Sequence, residues 1–208
     1  MIISRTPYRI SFFGGGTDYP DWYLKNGGSV LSSTINKYCY ITAKYSTNLN
    51  ETHHKIIWTH IENVYSFKDI LHPAVREGLQ QLNLDESKGL EIYHSGDLPA
   101  RTGIGSSSSF CVGLINTLSN LVENPLNKMD LALKAIELEQ DILNEKVGSQ
   151  DQVAASFGGF NKIIFNTNGS IEVKRIDVSD KAIKTLNNNI ALYYTGTRIG
   201  RNSSDVIS

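Results

Sequence analysis

The alternation of apolar and polar residues predicts strands and helices along most of the chain. Positions 38, 40, 42 and 44 are polar or aromatic and alternate with Cys39, Ile41 and Ala43, a period of two that is typical of a strand with one buried face. We predict that this strand, Tyr38–Tyr45, forms a hairpin with Ser29–Ile35. Further strands are predicted at Tyr8–Phe13, Lys55–Thr59, Leu90–His94, Phe160–Phe165, Ile171–Ile176 and Ile190–Tyr194, and helices at His72–Leu82, Gly105–Val122 and Asp130–Glu145.

The helix predicted at Asp130–Glu145 carries a carboxylate in the middle of its apolar face. At 3.6 residues per turn, the apolar side chains between Leu131 and Leu143 gather on one face, where Glu139 also falls, while Glu137 points away. A buried carboxylate is costly unless a positive group satisfies it. We therefore expect Glu139 to contact a core arginine or lysine, or a metal ion, and the pattern leaves both open.

Composition narrows the class of protein. The 208 residues suit one domain, or one domain and part of a second. Lysine and arginine number 20 against 21 for aspartate and glutamate, which argues against a strongly basic nucleic-acid surface. The two cysteines, Cys39 and Cys111, lie in apolar runs and predict buried reduced thiols. With no signal-peptide core and no stretch of membrane-span length, we expect a cytoplasmic protein without nucleic-acid or membrane partners.

A glycine- and serine-rich loop between a predicted strand and a predicted helix is the most informative segment. It reads PARTGIG from Pro99 to Gly105 and continues into the serines Ser106, Ser107, Ser108 and Ser109. Glycines let backbone N–H groups approach an anion closely, and the unpaired N–H groups and dipole of a first helical turn favour a phosphate. A serine N-cap would explain one serine rather than four. The chain has no Gly-Lys-Ser/Thr, which excludes a Walker loop.

Two other polar segments are candidates for ligand contact. Three glycines, Gly14 to Gly16, follow the first predicted strand and lead to Thr17 and Asp18. The glycines free the loop to pass close to a ligand, and the Asp18 carboxylate suits bonds to sugar hydroxyls, although a turn capped by Asp18 explains the same residues. Further along, Asp151 follows Val-Gly-Ser-Gln, where the local sequence is also explained by a helix cap.

These segments together resemble the motifs of the GHMP kinases (galactokinase, homoserine kinase, mevalonate kinase and relatives). The loop at 99–109 is similar to the second motif, Pro-x-x-x-Gly-Leu-Gly-Ser-Ser-Ala, with Ile104 for leucine and Ser108 for alanine. Arg9 and the glycine run resemble the first motif, in which an arginine-bearing strand runs into Gly-x-x-Thr-Asp-Tyr. The segment from Gly148 through Asp151 to the next glycine pair resembles Gly-x-x-Asp-x-x-x-x-x-x-Gly-Gly.

The resemblance implies a role for each segment. Asp151 would be the catalytic base, and Arg9 would lower the pKa of the sugar hydroxyl or hold Asp151 in place. Because phosphoryl transfer asks little covalent chemistry of the protein, charge placement and alignment should dominate. The implied ligand contacts are ATP phosphates at Pro99, Gly103, Gly105, Ser106, Ser107, Ser108 and Ser109, Mg²⁺ at Ser107 and Glu139, and the sugar at Gly15, Gly16, Thr17 and Asp18.

The fold that the resemblance implies is α+β. A ribosomal protein S5 domain 2-like N-terminal domain with a mixed sheet would occupy residues 1–185, and a ferredoxin-like C-terminal domain would begin at residues 186–208. The loop and the Asp151 segment most closely resemble the D-glycero-D-manno-heptose 7-phosphate kinase branch. That branch implies phosphorylation of the anomeric hydroxyl of this sugar phosphate, for nucleotide-activated heptose and surface polysaccharides. A kinase of a free sugar such as fucose stays an alternative.

Two departures from the family pattern matter. Gly15 and Gly16 replace the glutamate and histidine that galactokinases place before the threonine, which argues against galactose. The third glycine-rich motif of the family is absent from these 208 residues, so we expect a fragment of a longer protein that is a poor kinase alone. A non-catalytic protein that binds the sugar or nucleotide is the remaining alternative. The oligomeric state stays open, with a dimer among the options.

Overall fold

A mixed sheet of seven strands organises the part of the chain that the structure describes. The computed structural model describes residues 1–46, 54–99 and 103–193. The strand order is β4-β3-β5-β2-β6-β7, with β1 paired along β2, and β3 and β5 are the parallel pair. The predicted fold class, helices and a mixed sheet in an α+β arrangement, is confirmed. The strands are β1 (Ile2–Phe13), β2 (Gly28–Tyr45), β3 (His54–Ile57), β4 (Ile61–Val64), β5 (Leu90–Gly96), β6 (Phe160–Phe165) and β7 (Ile171–Arg175).

The helices place a buried core against this sheet. Ile41 and Ile92 of the sheet and Leu114 and Leu118 of α3 are fully buried in one cluster. Each such side chain contributes roughly 1.5–3 kcal/mol on burial, so the sheet fixes α3 firmly. The helices are α1 (Pro20–Asn26), α2 (Pro73–Gln81), α3 (Ser106–Leu121), α4 (Lys128–Ile136), α5 (Gln150–Phe157) and α6 (Asp180–Asn189), with a 3₁₀ turn at Phe67–Asp69 and a π-helical turn at Glu137–Ile142.

The predicted hairpin of Ser29–Ile35 and Tyr38–Tyr45 is wrong, because both halves belong to the single strand β2. The register with β1 jumps so that residue 8 lies opposite residues 35–37, and the predicted turn is therefore a bulge. β6 pairs with β2 before the bulge and β5 pairs with it afterwards, so both halves have partners. Bulges re-aim neighbouring side chains beside functional sites, and this one adjoins Arg9.

The helix predicted at Asp130–Glu145 begins earlier and changes pitch. Its N-cap is Asn127 rather than Asp130, because the Asn127 side chain accepts hydrogen bonds from the N–H groups of Met129 and Asp130. α4 then passes into the π-helical turn, where the N–H of Leu143 donates to the carbonyl of Leu138, five residues back. Such turns are rare and occur frequently at functional sites.

The C-terminal part departs most from the predictions. The strand predicted at Ile190–Tyr194 has no strand geometry over residues 190–193, and residue 194 lies outside the described residues. The unpredicted helix α6 precedes it, and the proposed domain boundary at 185/186 falls inside that helix. Cys39 and Cys111 are buried free thiols, as predicted. Among the described residues, no helix combines the length and apolar character needed to cross a bilayer.

Candidate active site

A bidentate ion pair joins Arg9 of β1 to Asp151 of α5. Arg9 Nε donates to Asp151 Oδ1 at 2.6 Å, and Nη2 donates to Oδ2 at 2.7 Å. Two parallel charge-assisted bonds fix both planar groups in one orientation. Burial raises the pKa of the Asp151 carboxyl, the charge and hydrogen bonds of Arg9 lower it, and nearby Asp18 raises it further. The pair brings together residues that are 142 positions apart in the chain.

Arg9 also holds the loop that precedes α3. Its Nη1 donates to the carbonyl of Gly103 at 3.1 Å, and its backbone N–H donates to the carbonyl of Ile104 at 3.2 Å. Gly105, the N-cap of α3, has a φ of 74°, and a Cβ there would lie 3.1 Å from Asp151 Oδ2. Both the left-handed backbone and the close approach therefore favour glycine. α3 thus begins directly beside the Asp151 carboxylate.

The four predicted phosphate-binding serines form the first turn of α3 but differ in their surroundings. Ser107 is exposed and Ser106 half-buried, whereas Ser108 and Ser109 are buried. The hydroxyl of Ser109 donates to the carbonyl of Pro7 at 3.0 Å, which attaches the helix start to β1. Ser106 and Ser107 are therefore the more accessible two of the four serines.

The start of α3 has the backbone geometry of an anion site. Gly105 provides no side-chain cap to the helix. The first N–H groups of any helix lack intrahelical acceptors, and its dipole favours negative charge there. Pro99, at the other end of the predicted loop, is exposed. Residues 100–102 lie outside the described residues.

Glu139 is fully buried in the π-helical turn, as the sequence pattern predicted. Ser107 Oγ donates to its Oε1 at 2.9 Å, and Gln152 Nε2 donates to its Oε2 at 2.5 Å. Burial raises the pKa of Glu139 to about 7, against hydrogen bonds from Ser108, Ser107 and Gln152 that lower it. These partners are hydroxyl and amide groups, and no lysine or arginine is among them.

The Glu139 carboxylate and the Ser107 hydroxyl are the oxygen donors that Mg²⁺ prefers. No cluster of three or more His, Cys, Asp or Glu side chains suited to a metal occurs in the described part of the chain. Mg²⁺ usually keeps several waters and takes only one or two protein carboxylates beside substrate phosphates. The donors present therefore fit Mg²⁺ that is bound together with a phosphate.

Asp18, a predicted sugar contact, caps α5 in this structure. It is 1% exposed, and its carboxylate accepts hydrogen bonds from the N–H of Gly16 at 3.0 Å and of Gln150 at 3.2 Å. Its carbonyl accepts a bond from the N–H of Ser149 at 3.0 Å. A Cβ on Gly148 would lie 1.9 Å from Asp18 Oδ2. Asp18 thus ties the glycine loop to the helix that carries Asp151.

The rest of the glycine loop folds back on β2. Thr17 Oγ1 donates to the carbonyl of Gly14 at 2.7 Å and accepts from the N–H of Ser29 at 3.1 Å. Gly15 is exposed, and Gly16 is half-buried. The sugar contacts assigned to this loop stay a prediction. Gly15 is the most accessible of the four residues named for them.

Sequence reasoning missed the role of Gln152 and the contact that Gly148 makes. Gln152 is fully buried beside Val153 and Ala154, and a glutamine within an apolar stretch of helix is the signal that could have found it. Gly148 was recognised only as part of a motif, and its contact was missed because the carboxylate that needs its small size lies 130 residues away in sequence.

The chain is similar in sequence to known kinases. Residues 68–159 match the family model described as the GHMP kinases N terminal domain. The chain is 28% identical to D-glycero-alpha-D-manno-heptose 7-phosphate kinase of Campylobacter jejuni, over 99% of this chain and 62% of that protein. It is 27% identical to a galactokinase of Pyrococcus furiosus, over 95% of this chain and 54% of that protein.

A solved structure shares the fold. The crystal structure of a D-glycero-D-manno-heptose 1-phosphate kinase from Bacteroides thetaiotaomicron superposes with a TM-score of 0.79 at 26% identity. The match covers 86% of this chain and 61% of that one. The chain therefore spans less than two thirds of the length of each of these relatives.

Proposed function

We propose that this chain, which carries a GHMP kinase N-terminal domain, is the phosphate- and sugar-binding part of an ATP-dependent sugar kinase. The observation that carries the proposal is that two acidic groups meet the first turn of α3. Asp151 packs against Gly105, and Glu139 bonds to Ser107. An anion site, a candidate cation ligand and a candidate base therefore surround one helix start, and phosphoryl transfer depends on this kind of charge placement.

The phosphate groups of ATP would bind at the start of α3. The backbone N–H groups of its first turn would donate hydrogen bonds to the phosphate oxygens, with Ser106 and Ser107 beside them. Glu139 and Ser107 would hold Mg²⁺, which when bound supplies positive charge to the phosphates. Because α3 is fixed to the sheet by its buried face, these donors are preorganised.

Asp151 would accept the proton of the sugar hydroxyl while that oxygen attacks the γ-phosphorus of ATP and ADP leaves. A general base works best when its pKa is not far below the working pH, and burial raises the pKa of Asp151. Arg9 keeps the carboxylate oriented by its two hydrogen bonds. Each carboxylate oxygen retains a second lone pair for the proton.

For the acceptor, we propose the anomeric hydroxyl of D-glycero-D-manno-heptose 7-phosphate. Two relatives, one similar in sequence and one in structure, are named as kinases of manno-heptose phosphates. The replacement of two galactokinase motif residues by Gly15 and Gly16 supports a sugar other than galactose. A free sugar such as fucose is the alternative acceptor.

A coupled ADP-release assay with a panel of acceptors tests both levels of the proposal. The panel contains heptose 7-phosphate, mannose phosphates, free fucose and galactose. Because we expect the chain alone to be a poor kinase, ADP release should be slow but detectable with at least one sugar, and kcat/KM should be highest with heptose 7-phosphate. A higher value with fucose would reassign the acceptor. ATP-analogue binding by calorimetry without ADP release on any sugar would support a non-catalytic binding protein instead.

Replacing the candidate base gives the sharpest mechanistic test. Asp151→Asn should lower kcat by about 10²- to 10⁴-fold, the usual contribution of general-base catalysis, with ATP-analogue affinity nearly unchanged. Asp177→Asn, an exposed aspartate, is the matched control and should keep wild-type turnover. Wild-type turnover by Asp151→Asn would remove this residue from the base role.

A further inference from the structure

We infer that Gln152 is a positioning residue that holds the Glu139 carboxylate in the orientation required for a divalent cation at the start of α3. The inference rests on the proposed function, since it deepens the role of the same site. Gln152 contacts neither the phosphate loop nor the ion pair in the hydrogen bonds described above. Its proposed effect therefore passes through Glu139.

Gln152 and Ser107 each hold one oxygen of the Glu139 carboxylate, and Ser108 adds a further hydrogen bond. Gln152 Nε2 donates to Oε2 at 2.5 Å, and Ser107 Oγ donates to Oε1 at 2.9 Å. Both Gln152 and Glu139 are 0% exposed, so a rotated carboxylate would have no solvent to replace a lost donor. Ser107 is exposed at the site, whereas Gln152 is part of the interior. Gln152 is therefore an interior donor, carried by α5, that holds Oε2 of the carboxylate in place.

The other end of the Gln152 amide argues against a purely stabilising role. Its Oε1 is buried and has no hydrogen-bond partner within the described part of the chain. An unpaired buried acceptor is destabilising, and methionine would fill a similar volume without it. The feature of glutamine that methionine lacks and that this environment uses is the N–H donor to Glu139. Residues that orient metal ligands in this way tune metal affinity.

The position of Gln152 also links two parts of the candidate site. It follows Asp151 directly on α5, and Asp18 caps the start of that helix. One rigid helix therefore orients both the candidate base and, through Gln152, the candidate metal ligand. A small displacement of α5 would move both groups together.

Gln152→Met removes the donor while it preserves volume, and Gln81→Met is a matched control. Gln81 Nε2 donates to Glu137 Oε2 at 2.9 Å, and its Oε1 is also buried without a partner. It thus makes the same kind of bond to the same helical segment, but to the exposed Glu137 instead of Glu139. Any general effect of the substitution should appear in both variants.

The experiment titrates the full chain with the ATP analogue AMP-PNP at increasing MgCl₂ by calorimetry. Gln152→Met should raise the Mg²⁺ concentration for half-maximal analogue binding by about 10- to 100-fold. Analogue affinity in EDTA should stay near wild type, because no cation then depends on Glu139. The thermal midpoint should fall modestly, because the buried Oε2 of Glu139 loses its donor. Gln81→Met should match wild type in every measurement. An unchanged Mg²⁺ requirement in Gln152→Met overturns the inference.

Crystal structures keep the inference testable if the proposed function fails. If the wild-type chain binds no AMP-PNP, the kinase proposal fails. The positioning role of Gln152 is then tested by comparing the side-chain torsions of Glu139 in the wild-type and Gln152→Met crystal structures. A rotated Glu139 carboxylate in Gln152→Met supports the positioning role, and unchanged torsions overturn it. If Gln152→Met does not fold, Gln152→Asn, which shortens the amide by one methylene, takes its place in both comparisons.

Discussion

The Arg9 guanidinium offers the most direct test of the electrostatics of the site. Arg9→Met keeps most of the side-chain volume but removes both hydrogen bonds to Asp151 and the bond to the carbonyl of Gly103. The Asp151 carboxylate would then face Asp18, which already raises its pKa, without a compensating cation. The variant should remain folded but measurably less stable.

The magnitude follows from the burial of the pair. Removing one partner of a buried ion pair costs about 3–5 kcal/mol, and the side chains of Arg9 and Asp151 are 13% and 20% exposed. Partial exposure places this pair at the lower end, near 3 kcal/mol. The lost bond to Gly103 adds about 1 kcal/mol. We expect Arg9→Met to lose roughly 3–4 kcal/mol of unfolding free energy at pH 8.

This loss should depend on pH in a defined direction. Without Arg9, burial and Asp18 both raise the pKa of Asp151, and no other group in the described part of the chain lowers it. The folded state then binds a proton more readily than the unfolded state, so its stability falls as pH rises through the raised pKa. The destabilisation should be complete above that pKa and shrink as pH falls towards the ordinary aspartate value near 4.

Urea unfolding at pH 8 and pH 5 measures the effect. Arg9→Met with Asp151→Asn should regain about 2 kcal/mol relative to Arg9→Met alone at pH 8, because the uncompensated charge is gone. Arg76→Met is the control, since Arg76 pairs with Glu77 and donates to the carbonyl of Ile70 at a more exposed position. It should lose about 1 kcal/mol. A loss below 1 kcal/mol in Arg9→Met, or one equal at both pH values, would refute the reasoning.

Three further substitutions probe the buried groups by urea unfolding. The first is Glu139→Gln. The wild-type carboxyl has a pKa of about 7 in the folded state, so ionising it between pH 5 and pH 8 destabilises the wild-type protein. The unfolding free energy of Glu139→Gln should therefore rise relative to that of wild type over this range, by up to about 3 kcal/mol. Gly148→Ala should lose about 3 kcal/mol, since its Cβ would displace the Asp18 carboxylate from two backbone donors. In His94→Leu, the unfolding free energy should fall less than in wild type as the pH drops below about 6.5. Burial lowers the pKa of His94, so the unfolded state takes up the proton first and wild-type stability falls as pH drops below about 6.5.

Controls separate these effects from general ones. Glu137→Gln, on the exposed side of the same turn, should show no gain between pH 5 and 8. Gly15→Ala should be tolerated within about 0.5 kcal/mol, because the nearest atom to a Cβ there lies 3.8 Å away. Equal pH profiles for Glu139→Gln and wild type, or equal stability for Gly148→Ala and Gly15→Ala, would contradict the geometry. If the stability of His94→Leu falls as steeply below pH 6.5 as that of wild type, His94 is not the group responsible for that fall.

Patterns confined to one helix or one loop were accessible from the sequence. The burial of Glu139 followed from its spacing of four and eight residues from Ala135 and Leu131, which are buried on the same face. The glycine–serine loop indicated the start of α3, and the helix begins within one residue of the predicted position. These features depend on helix periodicity and backbone conformation, which a residue and its neighbours largely decide.

Pairing in the sheet was beyond such reasoning. Asn36 and Lys37 lie between two apolar runs, as turn residues do, yet β1 pairs with both runs and turns the gap into a bulge. The π-helical turn likewise has no signature in the residue spacing, since Glu139 lies on the buried face in either pitch. Strand partners and helix pitch depend on what packs alongside them, so local preference does not decide them.

The sequence by itself determined the kinds of chemistry present. These are a glycine–serine loop suited to an anion, the buried acid Glu139, and the two candidate ligand-contacting acids Asp18 and Asp151. Only the tertiary structure decided which of these groups meet. Arg9 binds Asp151, Asp18 caps α5, and Gln152 reaches Glu139, the first two of these across more than 130 residues of chain. Contacts of that range form when packed layers of secondary structure bring distant segments together. The local sequence around each residue does not indicate which distant residue it will contact.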